Sequence, residues 1–195
     1  MIAIIDYKAG NICSVCNALE RLGAEYVLTS DASVIKSADK VILPGVGNAA
    51  AAMQNLRETG LVDTIKSLRS PVLGICVGMQ IMCRHSQEGD CDCMDIFDTV
   101  VKKFESTPDA KVPHMGWNSI SNLDGKLMKG LKAGSFVYFV HSYYPELCQD
   151  TVATCRHAGV MFSAALRYEN FYGTQFHPEK SGSIGEMILK NFLAL

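Results

Sequence analysis

The segment that most restricts how this chain can fold is Gly74-Ile75-Cys76-Val77-Gly78, set between the apolar stretch Pro71-Val72-Leu73 and the helix-like Met79-Gln80-Ile81-Met82. A nucleophile flanked at two positions by small residues, between a strand and a helix, makes a sharp and strained turn that presents its side chain. The glycines remove side chains that would collide where strand and helix approach. A helix beginning there aims unpaired N–H groups at the Cys76 sulfur, which favours thiolate over thiol. The same residues also describe a buried core cysteine after a strand. The segment therefore needs partners before it reads as a site.

With 195 residues, 48% of them hydrophobic and 19% charged, the chain can bury a full core, and one domain over 1–195 is expected. A net charge of −2 gives no broad pull toward nucleic acid or anionic membrane. No apolar run reaches the roughly 20 residues of a transmembrane helix. Met1-Ile2-Ala3-Ile4-Ile5-Asp6 reads as a first strand ending on an acid rather than a secretory signal. A cytoplasmic location with reduced thiols is the expectation for the eight cysteines. Cys13-x-x-Cys16 falls in a helical pattern with Ile12, Val15, Leu19 and Leu22, for which Asn11 is a plausible N-cap. Packing is favoured there over metal binding, since structural zinc wants four ligands and no second Cys-x-x-Cys exists. Cys91-x-Cys93 reads as part of a polar loop. Neither a metal nor a cofactor is expected.

Segments rich in β-branched residues alternate with helical patterns through the first half, which argues an α/β fold with a mostly parallel central sheet flanked by helices. Strands are expected at Ile2 to Asp6, Glu25 to Thr29 and Lys40 to Leu43, with helices at Ile12 to Leu22 and Ala32 to Ser37. Asn48 caps a further helix to about Thr59, stopped by Gly60, and Leu61 to Leu68 forms a short one. The second half adds strands at Val100 to Phe104, Phe136 to Val140, Thr151 to Cys155, Phe162 to Tyr168 and Phe171 to Phe176. A last amphipathic helix starts near Ser183.

A cysteine nucleophile needs a base, and His177 stands out among His85, His114, His141, His157 and His177. It follows the strand-like Phe171 to Phe176 and precedes Pro178-Glu179, where proline favours an extended predecessor. Residues two apart in extended chain point the same way, so Glu179 can orient the imidazole and stabilise its protonated form. A thiolate attacking a carbonyl also needs donors for the oxyanion. Val77 offers one N–H, and the loop Pro44-Gly45-Val46-Gly47 offers others from Gly45, Val46 and Gly47. That loop lacks the lysine and fuller glycine spacing of a nucleotide loop.

Gly-x-Cys-x-Gly followed by a late His-Pro-Glu resembles the class I glutamine amidotransferases. Five motifs in order, Pro44 to Gly47, Gly74 to Gln80, Pro113-His114-Met115-Gly116-Trp117-Asn118, Tyr138-Phe139-Val140-His141-Ser142-Tyr143 and His177 to Ser181, are similar to the glutaminase subunits of imidazole glycerol phosphate synthases. The resemblance covers essentially the whole chain. It implies hydrolysis of glutamine by Cys76, His177 and Glu179 through a thioester, with Gln80, Glu88, Ser142 and Tyr143 contacting the substrate. It also implies a heterodimer with a (β/α)₈-barrel cyclase subunit, which would take up the ammonia for histidine biosynthesis. Asn11, Met115, Trp117, Asn118, Tyr138 and Lys180 match positions at that contact. Lys8 replaces a glycine common in the first loop, and Asn48-Ala49-Ala50 lacks an aromatic often found after Pro-Gly-Val-Gly.

Three rival readings are a glutaminase of another ammonia-using synthase, a non-catalytic interaction protein of the same fold, and a redox cysteine protein. The first is disfavoured by Pro113 to Asn118 together with His141 to Tyr144, and the second by an intact Cys-His-Glu set. The third has no need of a late His-Pro-Glu.

Overall fold

The computed structural model describes residues 1–7, 12–45, 47–108 and 110–195. The first half runs β1 (Ile2–Ile5), α1 (Cys13–Arg21), β2 (Tyr26–Thr29), α2 (Ala32–Ser37), β3 (Lys40–Leu43), α3 (Ala49–Glu58), α4 (Leu61–Lys66), β4 (Val72–Ile75) and α5 (Val77–Gln80). The second half is mostly strand: β5 (Cys83–Ser86), β6 (Cys91–Asp92), β7 (Phe97–Lys103), β8 (His114–Ile120), β9 (Ser135–His141), β10 (Tyr143–Pro145), β11 (Thr151–His157), β12 (Val160–Tyr168) and β13 (Phe171–Thr174), closed by α6 (Gly182–Leu193).

A seven-stranded sheet in the order β11-β12-β13-β4-β3-β1-β2 forms the centre. Its β2, β1, β3, β4 and β13 are parallel neighbours, and β12 and β11 add antiparallel pairs at one edge. Every residue of β1 and β4 is buried, as expected of parallel strands covered on both faces. Two smaller sheets stand beside this one, β10-β7-β5-β6 and the two-stranded β8-β9.

Several local expectations meet their physical causes here. Asn48 accepts from Ala51 N at 2.8 Å and starts α3, while Gly60 at φ 68° stops it. Two readings are corrected. Cys91 lies on strand β6, paired with Ser86 of β5, rather than in a loop. Gly116-Trp117-Asn118, where no strand is expected from the sequence, is the middle of β8, paired with Phe139, Tyr138 and Val137. The N-cap assigned to Asn11 lies outside the described residues, as does Lys8. Ile12 precedes α1 without a side-chain cap.

Candidate active site

Three adjacent parallel strands, β3, β4 and β13, end at one edge of the sheet, where open α/β folds place their ligands. Their pairing sets Leu43 opposite Gly74 and Thr174 opposite Ile75. The chain leaving β4 then enters Cys76, that leaving β3 enters Pro44-Gly45, and that leaving β13 reaches His177. Cys76 N donates to Thr174 O at 2.8 Å, which fastens the nucleophile turn to the strand that carries the histidine.

Cys76 takes φ 54° and ψ −112°, a left-handed conformation that a non-glycine residue adopts only under constraint from its surroundings. That constraint comes from backbone packed on backbone. A Cβ on Gly45 would lie on Gly78 N, and one on Gly78 would lie on Leu43 O. On the strand side, a Cβ on Gly74 would come within 2.8 Å of Met79 N. The loop after β3 thus presses directly against the turn after Cys76. Tyr7 holds the same loop from below, donating its hydroxyl to Pro44 O at 2.6 Å. Burial, and then the charge of Cys76, push the Tyr7 phenol well above its ordinary range, so it stays a neutral donor.

Glu179 Oε1 lies 2.8 Å from His177 Nδ1, and both side chains are almost wholly buried. The other ring nitrogen is free of Glu179, and Cys76 lines the same cavity beside the ring. Burial works against a charged imidazole, but the hydrogen bonds and charges of Cys76 and Glu179 overcome it and push His177 up to about 10. Sγ also lies 3.9 Å from Val140 O.

A cavity of about 300 Å³ opens on this group, at the small end of ligand sites. Cys76, Val77 and His177 line it together with Gly45 and Gly47 and with Val140, His141, Ser142 and Tyr143. Gln80, Glu88 and Lys180 complete it. Gln80, Glu88, Ser142 and Tyr143, named above as substrate contacts, thus converge on one space, as do Val77, Gly45 and Gly47 of the oxyanion set. Val46 lies outside the described residues. Glu88 is no solvated loop acid. Its carboxylate accepts from Ala49 N at 2.7 Å at the start of α3, and burial raises its pKa against the pull of that bond. A cationic group in the cavity would relieve that cost.

The β8-β9 ribbon carries most of the residues assigned to a partner. Met115 is 63% exposed and Trp117 55%, and Trp117 packs edge-on against Tyr138 at 6.1 Å between ring centroids. Phe136, paired with Ser119, adds a third large exposed apolar side chain to this outer face. Asn118 lies on the other face of β8 from Met115 and Trp117. Strand alternation turns it inward, where its Nδ2 meets His114 Nε2 at 3.1 Å and Arg156 O at 3.0 Å. Lys180 is exposed and borders the cavity. Asn11 lies outside the described residues.

Sequence reasoning missed Gln175. It is fully buried, and its Nε2 lies 3.7 Å from Cys76 Sγ. Glu179 reaches the imidazole from a 3₁₀ turn over Pro178–Lys180 rather than from the extended chain expected of it, and Gln175 lies beyond the end of β13, so strand alternation gave no signal for it.

Against known proteins, the glutamine amidotransferase class-I family matches residues 3–195. The imidazole glycerol phosphate synthase subunit HisH of Bacteroides thetaiotaomicron is 55% identical over 195 residues, covering 100% of this chain and 99% of its own. The chain belongs to the class I glutamine amidotransferases, in the HisH family. The HisH subunit of Bacteroides fragilis is 58% identical with the same coverage. Among solved structures, a glutamine amidotransferase superposes with a TM-score of 0.75 at 15% identity, covering 100% of this chain and 98% of its own. A putative GMP synthase component from Thermoplasma acidophilum gives 0.74 at 22%, covering 99% and 92%. These two likenesses establish the amidotransferase fold; the HisH matches carry the narrower assignment.

Proposed function

We infer that this amidotransferase hydrolyses glutamine and passes the ammonia to the (β/α)₈-barrel cyclase subunit of an imidazole glycerol phosphate synthase. It does so as one domain over 1–195, within a cytoplasmic heterodimer serving histidine biosynthesis. The observation that carries the chemistry is His177, paired with a buried Glu179 and lining an amino-acid-sized cavity beside Cys76.

The steps follow from that arrangement. His177 holds the proton given up by Cys76, whose sulfur attacks the side-chain amide carbon of glutamine. The carbonyl oxygen takes up the negative charge, for which Val77 N–H and the loop from Gly45 to Gly47 supply donors. His177 gives its proton to the departing nitrogen as the C–N bond breaks and ammonia leaves. Water then attacks the γ-glutamyl thioester, surrendering a proton to His177 while the C–S bond breaks and glutamate forms. Glu179 holds the ring through both transfers and stabilises the imidazolium. Glu88 takes the substrate α-ammonium, while Gln80, Ser142 and Tyr143 line its path.

Ammonia released into neutral water becomes mostly ammonium, which is not nucleophilic, so a protected route to the consuming enzyme follows. The exposed apolar face of Met115, Trp117, Phe136 and Tyr138 suits a partner surface at that exit. The test is glutamate release from glutamine by this chain alone, then with the histidine-pathway cyclase and its nucleotide ligand. Strong stimulation by both is expected. No release in either condition, from folded protein with an intact thiol, overturns the reading.

A further inference from the structure

We propose that Gln175 is a further catalytic residue, a side-chain N–H donor to the Cys76 thiolate, aimed by a hydrogen-bond chain that can run in only one direction. This rests on Cys76 being the nucleophile.

The direction is set at the carbonyl of Tyr143, which can only accept. It takes Gln80 Nε2 at 2.8 Å and His141 Nδ1 at 2.7 Å. Gln80 therefore presents its amide nitrogen, and that nitrogen also meets Gln175 Oε1 at 2.9 Å. Gln175 must then turn its own Nε2 toward the sulfur, 3.7 Å away. A flipped Gln175 would set two NH₂ groups face to face and place its oxygen against the sulfur.

The other branch is as strictly ordered. His141 carries its proton on Nδ1, so its Nε2 accepts from His114 Nδ1 at 2.9 Å. His114 Nε2 then accepts from Asn118 Nδ2, whose amide is fixed because its Oδ1 accepts from Ser119 N at 2.8 Å. The two branches meet at Tyr143 O: one runs from Asn118, beside the exposed Trp117, to that carbonyl, and the other starts at Gln80 and runs through Gln175 to the sulfur.

The sulfur needs this donor. Besides Gln175, the sulfur has the His177 imidazole as its charge partner and the Val140 carbonyl at 3.9 Å, to which the thiol donates. The carbonyl oxygen repels a thiolate, and His177 leaves its role as counter-ion when it gives up its proton. Sγ is anionic before the C–S bond forms and again when it breaks, and a fixed N–H stabilises both moments.

The experiment follows iodoacetamide alkylation of Cys76 in the full-length chain across pH, read on the Cys76 peptide by mass spectrometry. Gln175→Glu, of the same shape, puts an acceptor against the sulfur. It should move the profile to higher pH and slow alkylation at pH 7 by about tenfold or more. Gln175→Met removes the donor and should slow it by about threefold to tenfold, with kcat falling and KM nearly unchanged. Unmoved profiles in folded variants overturn the proposal, even if activity is lost. Should either variant fail to fold, the native sequence still decides. The ¹⁵N-labelled Gln175 side-chain amide should shift with pH in step with Cys76 alkylation and cease to do so in Cys76→Ser. An amide resonance that ignores Cys76 overturns the proposal. These readouts need no partner, so they separate from glutamate release. A native chain that releases glutamate while Gln175 fails both tests leaves the proposed function standing.

Discussion

The main-chain N–H of His177 donates to the carbonyl of Tyr138 at 2.9 Å, tying the turn that carries the base to the strand that carries the exposed apolar face. Ser181 closes the same joint. Its hydroxyl accepts from Tyr138 N at 2.9 Å and donates to His177 O at 2.6 Å. The surface proposed for the partner and the base proposed for catalysis therefore share one backbone contact.

Ser181→Ala removes both hydroxyl bonds from a residue that is 1% exposed. Tyr138 N loses this acceptor, while His177 O keeps its bond from Lys180 N at 3.0 Å, and the change should cost about 1–3 kcal/mol of stability in urea unfolding. The turn also loses its hold on the imidazole. Glutamine turnover should fall by about threefold to tenfold, in the partner-stimulated reaction as well as the basal one.

Cys76→Ser should abolish glutamate release while leaving the partner's synthesis from added ammonium intact. The oxygen is a far weaker nucleophile than the thiolate at neutral pH, whereas the fold and the apolar ribbon are untouched. Glutamate assay and ammonia-dependent product formation, run on the same complex, check both halves. Loss of the ammonia-dependent reaction as well would contradict the assignment.

Glu179→Gln keeps the shape of a buried side chain but replaces the carboxylate that faces His177 Nδ1. The amide no longer stabilises the imidazolium and allows the wrong tautomer, so kcat should drop by roughly 10²- to 10⁴-fold with the structure preserved. Steady-state kinetics beside a circular-dichroism melt distinguishes this from unfolding.

Much of this architecture is visible in the sequence because parallel strands and their crossover helices write two clean periods. Lys40–Leu43 and Ala32–Ser37 are matched residue for residue by the structure. What stayed hidden has physical reasons. Cys83–Ser86 is a strand through backbone pairing with β6 and β7, without an apolar alternation to mark it. His114–Ile120 turns Met115 and Trp117 outward and His114 inward, inverting the usual pattern of a half-buried strand. The Cys76 turn was legible because glycine spacing reports how closely backbones pass. Gln175 was not, because a buried amide reveals its role only through the groups that orient it.

Trp117→Ala should weaken association with the cyclase by about tenfold to a hundredfold, since large aromatics carry much of the energy at interfaces. Its side chain is 55% exposed in the isolated chain, so the fold should lose little. Titration calorimetry against the partner, with the variant's melting curve as control, reads both. Unchanged affinity would move the contact off this ribbon.

Acid should destabilise this protein through the histidine pair behind the cavity. Burial, helped by the neighbouring His157, lowers His114 to about 4. Burial also lowers His141 to about 3, against the opposing bond to Tyr143 O. Both are neutral in the folded state, while in the unfolded chain each titrates near 6.5. As pH falls below that value the unfolded chain binds protons that the folded one refuses, so stability declines until each folded pKa is reached. The loss approaches about 1.4 kcal/mol per pH unit for each histidine. His177 has the opposite sign. Its folded pKa of about 10 gives stability that is complete below 6.5 and lost as pH rises toward 10. Urea unfolding between pH 7 and pH 5 should show the acid slope, and His114→Gln, which keeps a donor toward His141, should remove about half of it. An unchanged slope in that variant would place the acid sensitivity elsewhere than in the ordered pair that links Asn118 to Tyr143.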